Sequence, residues 1–122
     1  MPNAIRLSEK LALFDEHWSP KIVAGFNGHD VMVVKVKGEF TWHSHFDTDD
    51  FFLVLKGRLK IGLREGAIDL GTVELAPGDL YVVPKGVEHR PVAEEETHML
   101  LIEPAGTPNT GDVATAAVKQ TI

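Results

Sequence analysis

An all-β sandwich or barrel is the fold this sequence predicts, and three observations carry it. Apolar and polar residues alternate with a period of two through most of the stretch from Val31 to Glu103. The alternating runs are short and bounded by glycine or proline, of which the chain has 11 and 7; strands so spaced and punctuated read as a sandwich or barrel. The length, 122 residues without a cysteine, suits one domain that buries its own core without disulfides.

The elements follow in order. Ser8 to Asp15 is the one helical stretch, with Leu7, Leu11 and Phe14 on one face and Ser8 placed to cap the start. The run from Glu16 to Pro20 breaks it. Val31 to Lys37 alternates, with Met32, Val34 and Val36 on one face and Lys35 and Lys37 on the other, and Gly38 marks a turn. Glu39 to His45 reads as a strand, Phe46 to Asp49 as a loop, and Asp50 to Lys56 as a strand closed by Gly57. Leu59 to Leu63 alternates again, and Ala67 to Leu75 returns with a bulge expected at Gly71. The turn Pro77-Gly78-Asp79 has a mechanism, because proline fixes φ and glycine accepts positive φ. Leu80 to Val83, His89 to Ala93 and Thr97 to Glu103 complete the strands, the last two hinged at Glu94-Glu95-Glu96. The expected domain is 1–122, with a barrel core about 22–104, a covering segment 1–21 and a tail 105–122. The tail is small and polar, so it is either loose or ordered only against a partner chain.

Composition excludes several functions. Twelve basic against eighteen acidic residues give a net charge of −6, the wrong sign for tracking nucleic-acid phosphates. The longest apolar run, Phe51 to Leu55, is far short of a membrane span. The first ten residues lack the apolar core of a signal peptide, so a cytoplasmic location is expected. With no cysteine, any metal must be held by His, Asp and Glu.

His43 and His45 sit two apart on the expected strand, so both project from one face. Two imidazoles and the nearby carboxylate of Asp50 form a nitrogen- and oxygen-rich set suited to Fe, Mn, Ni or Zn. On the strand alone the opposite outcome has its own logic: Phe40 and Trp42 share the other face, and burying them leaves the histidines in water. Of the other candidates, Arg58, Lys60 and Arg64 share a face opposite Leu59, Ile61 and Leu63, which reads as a solvated basic face. His98 alternates with Leu100 and Ile102, as a hydrogen-bonded core histidine or as a pocket acid or base. His17 and His29 fall in surface segments.

The wider spacing resembles the cupin superfamily. Gly38-x4-His43-x-His45-x4-Asp50-x6-Gly57 is similar to the first cupin motif, and Gly78-x5-Pro84-x-Gly86-x2-His89 to the second. The resemblance implies an antiparallel double-stranded β-helix, or jelly-roll barrel, with a short N-terminal helical segment. It implies one divalent metal ion per chain held by His43, His45, Asp50 and His89, with the histidine face turned inward. Phe40 and Trp42 then point outward, where Leu7, Leu11, Phe14 and Trp18 or a second subunit would cover them. Asp50 stands where the family has Glu, and the missing methylene withdraws the carboxylate by about 1.5 Å. Weak or water-mediated coordination is expected at that corner. Ala93 stands where the second motif has Asn.

A metal-dependent enzyme acting on a small polar metabolite is therefore expected, with oxygenase, isomerase or epimerase, and lyase chemistries all found in similar cupins. His98, Tyr81 and Thr41 are the side chains available as general acid or base. The alternative is a non-catalytic module that binds or senses a small molecule in the same pocket. A homodimer is expected from the outward Phe40 and Trp42, from the apolar residues on both faces of Asp50 to Lys56, and from the dimerisation common in similar cupins.

Overall fold

The computed structural model describes residues 2–122, so only Met1 of the covering segment lies outside the described residues. It contains one short helix, α1 (Leu7–Leu11), and eight strands: β1 (Lys21–Phe26), β2 (His29–Glu39), β3 (Asp50–Lys56), β4 (Leu59–Glu65), β5 (Ile68–Leu75), β6 (Leu80–Val83), β7 (Glu88–Pro104) and β8 (Gln120–Thr121). The strands pair in the order β5-β4-β7-β2-β1-β8, with β3 hydrogen-bonded to both β6 and β7. All pairings are antiparallel except β1 with β8. The sheet rolls up as a jelly-roll barrel whose pairing path does not close.

Strand β7 organises the barrel. Its first part, up to Ala93, pairs with β4 and with the end of β2. Its second part, from Thr97, pairs with β2 and β3. Glu94 to Glu96 are the hinge between them, where the β2–β7 register jumps from Gly38↔Ala93 to Val36↔Thr97. Gly38, expected to mark a turn, therefore sits at a bulge inside a continuous strand (φ 86°). The bulge expected at Gly71 is present, opposite the register shift between Leu63 and Arg64. Gly57 is required where it stands: its φ is 87°, and a Cβ would meet Thr97 Oγ1 at 2.6 Å.

The core lies between the two halves. Met32, Val34, Val36, Phe52, Val54, Leu59, Ile61, Val83, Met99 and Leu101 form one buried cluster, each supplied by the inward face of its strand. A second, smaller cluster joins Phe14, Val23 and Val33 under Leu7, Leu11 and Ile122. The helix begins at Leu7 and stops at Leu11, short of the expected Asp15, and Ser8 lies inside it and makes no cap: Arg6 occupies the N-cap with no side-chain hydrogen bond. A helix this short is held by packing, not by propensity, and Leu7 and Leu11 provide that packing.

Two further expectations are corrected. Of the strand expected over Glu39 to His45, only Glu39 belongs to one, the end of β2; Phe40 to His45 is irregular, its one ladder contact a bridge between His43 and His89, and Phe46 to Asp49 is the loop expected. The tail neither hangs loose nor awaits a partner. Gln120 and Thr121 pair with Lys21 and Ile22, and the buried Lys21 ammonium donates to Gln120 Oε1 at 2.9 Å.

Candidate metal centre

Four short hydrogen bonds shape the irregular segment before β3. Phe40 N donates to Pro91 O (3.0 Å), His43 N to His89 O (3.1 Å), His89 N to His43 O (2.8 Å), and Gly86 N to His45 O (2.7 Å). Lys85 N donates to Asp49 Oδ1 at 2.9 Å, which draws the start of β3 toward the turn before β7. Asp49 is thus exposed and spent on the loop, while its neighbour Asp50 points inward. His43, His45, Asp50 and His89 are all at least nine-tenths buried. Their ligand atoms lie within 4.8 Å of one another.

The hydrogen-bond pattern aims these groups. Nδ1 of His43 donates to Thr41 O and Nδ1 of His89 to Val87 O, both at 2.9 Å. A carbonyl only accepts, so each ring carries a proton on Nδ1 and turns the Nε2 lone pair inward, the usual outer support of a metal-binding imidazole. Nε2 of His89 lies 2.8 Å from Asp50 Oδ2 and Nε2 of His45 lies 3.3 Å from the same oxygen. Acceptors so close need a proton or a cation between them. His45 Nε2 is buried and has no hydrogen-bond partner, because its approach to Asp50 is misaligned. An orphaned, inward-facing imidazole nitrogen beside a carboxylate is what a divalent metal would satisfy. Neighbouring ligands on an ion with bonds of about 2.0–2.2 Å sit about 3 Å apart, so these spacings fit.

The electrostatics agree. Burial, then the neighbouring His89, bring the His43 pKa down to about 4, so this ring is neutral and free to ligate. Burial also opposes charge on His45, but the Asp50 carboxylate outweighs it and raises that pKa. Burial by itself would raise Asp50; the ring nitrogens of His45 and His89 overcome it and hold the carboxyl well below its usual range.

Beside the four residues opens a cavity of about 40 Å³, walled by apolar side chains such as Val34, Val36, Phe52, Met99 and Leu101. Its polar lining consists of His43, Asp50, Asn109 and Glu103. Glu103 is 3% exposed. Burial first, and the Asp50 charge second, push its pKa up, against the pull of Lys119. Sequence reading missed this residue, although a signal existed: Thr97, Met99, Leu101 and Glu103 alternate on one face of β7. The same alternation puts His98 on the opposite face, where it borders an outer groove with Leu7, Leu11 and Leu55. Tyr81 packs against the core opposite Phe52 and does not line the cavity. Thr41 is exposed, and its contribution is the carbonyl that orients His43.

Of the two aromatic residues expected to face outward, Phe40 turns inward and Trp42 lies on the outer face of β4. Phe40 lines the cavity and stacks on Trp18 with ring centroids 4.7 Å apart. Trp18 holds a left-handed backbone (φ 58°), a strain of about 1–3 kcal/mol that persists where surroundings over-determine it. Its N–H groups donate to Lys35 O and Lys37 O. Trp42 is half-buried under the guanidinium groups of Arg64 and Arg90, at 4.1 and 5.2 Å from its ring. Arg64 and Lys60, on the expected basic face, pair with acidic neighbours at the surface.

The sequence model of the cupin domain matches residues 30–103, which include all four clustered residues. The chain is a cupin. It is 45% identical to a cupin-2 domain protein of Shewanella frigidimarina, whose crystal structure superposes with a TM-score of 0.76 over 82% of this chain and 93% of that one. It is 35% identical over 81 residues to YdbB of Bacillus subtilis, covering 66% of this chain and 68% of that protein. Hydroquinone 1,2-dioxygenase of Sphingomonas sp. TTNP3, solved with 4-hydroxybenzoate bound, superposes with a TM-score of 0.69 at 17% identity over 93% of this chain and 75% of that one. At that identity the likeness is one of fold. No helix among the described residues is long and apolar enough to cross a membrane.

Proposed function

We propose that this cupin is a divalent-metal-dependent enzyme that moves a proton on a small molecule bound in the barrel, an isomerase- or lyase-type reaction. The observation that carries the reading is the buried acid Glu103 on the wall of the same small cavity as His43 and Asp50. His43, His45, Asp50 and His89 would hold the metal, which when bound polarises a coordinated substrate oxygen and acidifies adjacent C–H groups. Glu103 then takes the proton at a carboxylate oxygen and returns it, and its raised pKa brings it nearer the working range of a general base. The apolar walls exclude water and accept the carbon skeleton. They favour a ligand with one polar end and a short apolar body over the uniformly polar metabolite that the sequence suggests.

Incubating metal-loaded protein with small 2-oxo and 2-hydroxy acids in D2O tests this. Deuterium should enter the position next to the coordinated oxygen. Glu103→Gln should slow exchange by about 10²–10⁴-fold, the usual worth of a positioned acid–base group, while metal content stays unchanged. Ligand binding without exchange, indifferent to Glu103→Gln, would favour the non-catalytic binding module instead.

We also propose a homodimer, through the second of the two surfaces first expected, the apolar outer face of Asp50 to Lys56. Phe40 and Trp42 are covered within the chain, as described above. The outer face of the β3–β6 pair is not: Phe51 lies opposite Val82 and Leu53 opposite Leu80, with Leu80 55% and Val82 39% exposed. Light scattering at micromolar concentration should give the dimer mass, and Leu80→Lys the monomer mass. A monomeric wild type would refute the proposal.

A further inference from the structure

The region matched by the cupin domain ends at residue 103, yet the chain beyond it returns to the metal cavity. Lys119 Nζ lies 3.0 Å from Glu103 Oε2, and the two side chains are 10% and 4% exposed. The same ammonium donates to Thr107 O. A buried ion pair is costly to assemble and weak as a source of stability, so its place on the cavity wall asks for another role. The segment that delivers Lys119 is fixed along its length. Asn109 Oδ1 accepts from Ala117 N at 2.9 Å, and Asn109 Nδ2 donates to Trp18 O at 3.4 Å. Gly111 has φ 76°, and a Cβ there would stand 2.2 Å from Ser44 O, so the segment rests directly on the main chain between His43 and His45. Strand β8 then ties the end to β1.

Glu103 is a hard oxygen donor on the same cavity wall as Asp50, but its oxygens do not belong to the cluster of four. A divalent ion beside a buried carboxylate with no counter-cation would draw that carboxylate into its coordination shell. We propose that Lys119 is a positioning residue that holds Glu103 out of the metal's coordination shell, leaving a position open for the substrate oxygen and Glu103 free to handle protons. The inference rests on the metal-site reading above.

Mn2+ loaded into the full-length protein is the probe, with metal affinity and water-proton relaxivity as the readouts. Lys119→Met should tighten Mn2+ binding by about tenfold, within the range by which outer partners tune metal sites. It should also lower relaxivity, as Glu103 displaces an exchangeable water. Lys119→Arg should restore wild-type values, and Glu103→Gln added to Lys119→Met should return the lost water. Should Lys119→Met not fold, Lys119→Gln keeps a neutral donor toward Glu103 and Thr107 and decides by the same criteria. A folded Lys119 variant with wild-type affinity and relaxivity would overturn this inference alone. A wild type that retains no Mn2+ would overturn the metal reading and this inference with it.

Discussion

His89→Ala should remove tight metal binding and destabilise the metal-free protein as well. His89 is 1% exposed, contributes Nε2 to the cluster at 2.8 Å from Asp50 Oδ2, and anchors the arch before β3 through its backbone bridge to His43. Losing a ligand should cost more than the roughly 10–100-fold that follows removal of an outer partner. The stability effect has a separate origin. Without His89 the buried Asp50 carboxylate keeps only the misaligned approach of His45, and breaking a buried pair from one side costs about 3–5 kcal/mol. His89→Ala combined with Asp50→Ala should therefore be less destabilised than the sum of the two. Isothermal titration with Zn2+ and urea unfolding of the metal-free variants measure both effects. Additive losses, or an affinity for metal that survives, would contradict this assignment.

The second large effect is at Asp50, which we propose reaches the ion directly and not through a water. One methylene shorter than glutamate, Asp50 looked too short to reach an ion. In the fold the start of β3 is carried inward by the Asp49–Lys85 contact, and Oδ2 already stands among the histidine nitrogens. Asp50→Glu should then weaken metal binding, because the added methylene has no room in a site 4% exposed; overpacking a buried site costs about 1–3 kcal/mol. Asp50→Asn keeps the shape and removes the charge that three neutral imidazoles lack. It should bind divalent metal more weakly than the wild type and should also lose preference for divalent over monovalent cations. Titration of the two variants separates the possibilities: tighter binding by Asp50→Glu would mean that Asp50 reaches the ion only through a water.

Much of the barrel was legible because strand alternation and glycine or proline turns are local properties. Leu80 to Val83 and Asp50 to Lys56 appear with the bounds read from sequence. The histidine pair was found for a partly mistaken reason. His43 and His45 do face the same interior, but on an arch held by one bridge to β7, not on a regular strand. Strand β7 exposes the limit of period-two reasoning: alternation separates two faces without saying which one is inside. Choosing His98 as the chemically useful face concealed Glu103, one face over. The tail was opaque for another reason. Its order comes from single contacts made by Asn109, Gly111, Lys119 and Gln120 with residues far away in the chain, and small polar composition carries no trace of them.

The most direct measurement is the metal content of protein purified without a histidine tag, by elemental analysis, beside the His43→Ala/His45→Ala/His89→Ala triple variant. About one divalent ion per chain is expected for the wild type, as for a site with three or four protein ligands, and none for the variant. A wild type free of metal after exposure to Fe, Mn, Ni and Zn, or a triple variant that keeps the full complement, would contradict the assignment of this cluster as the metal centre.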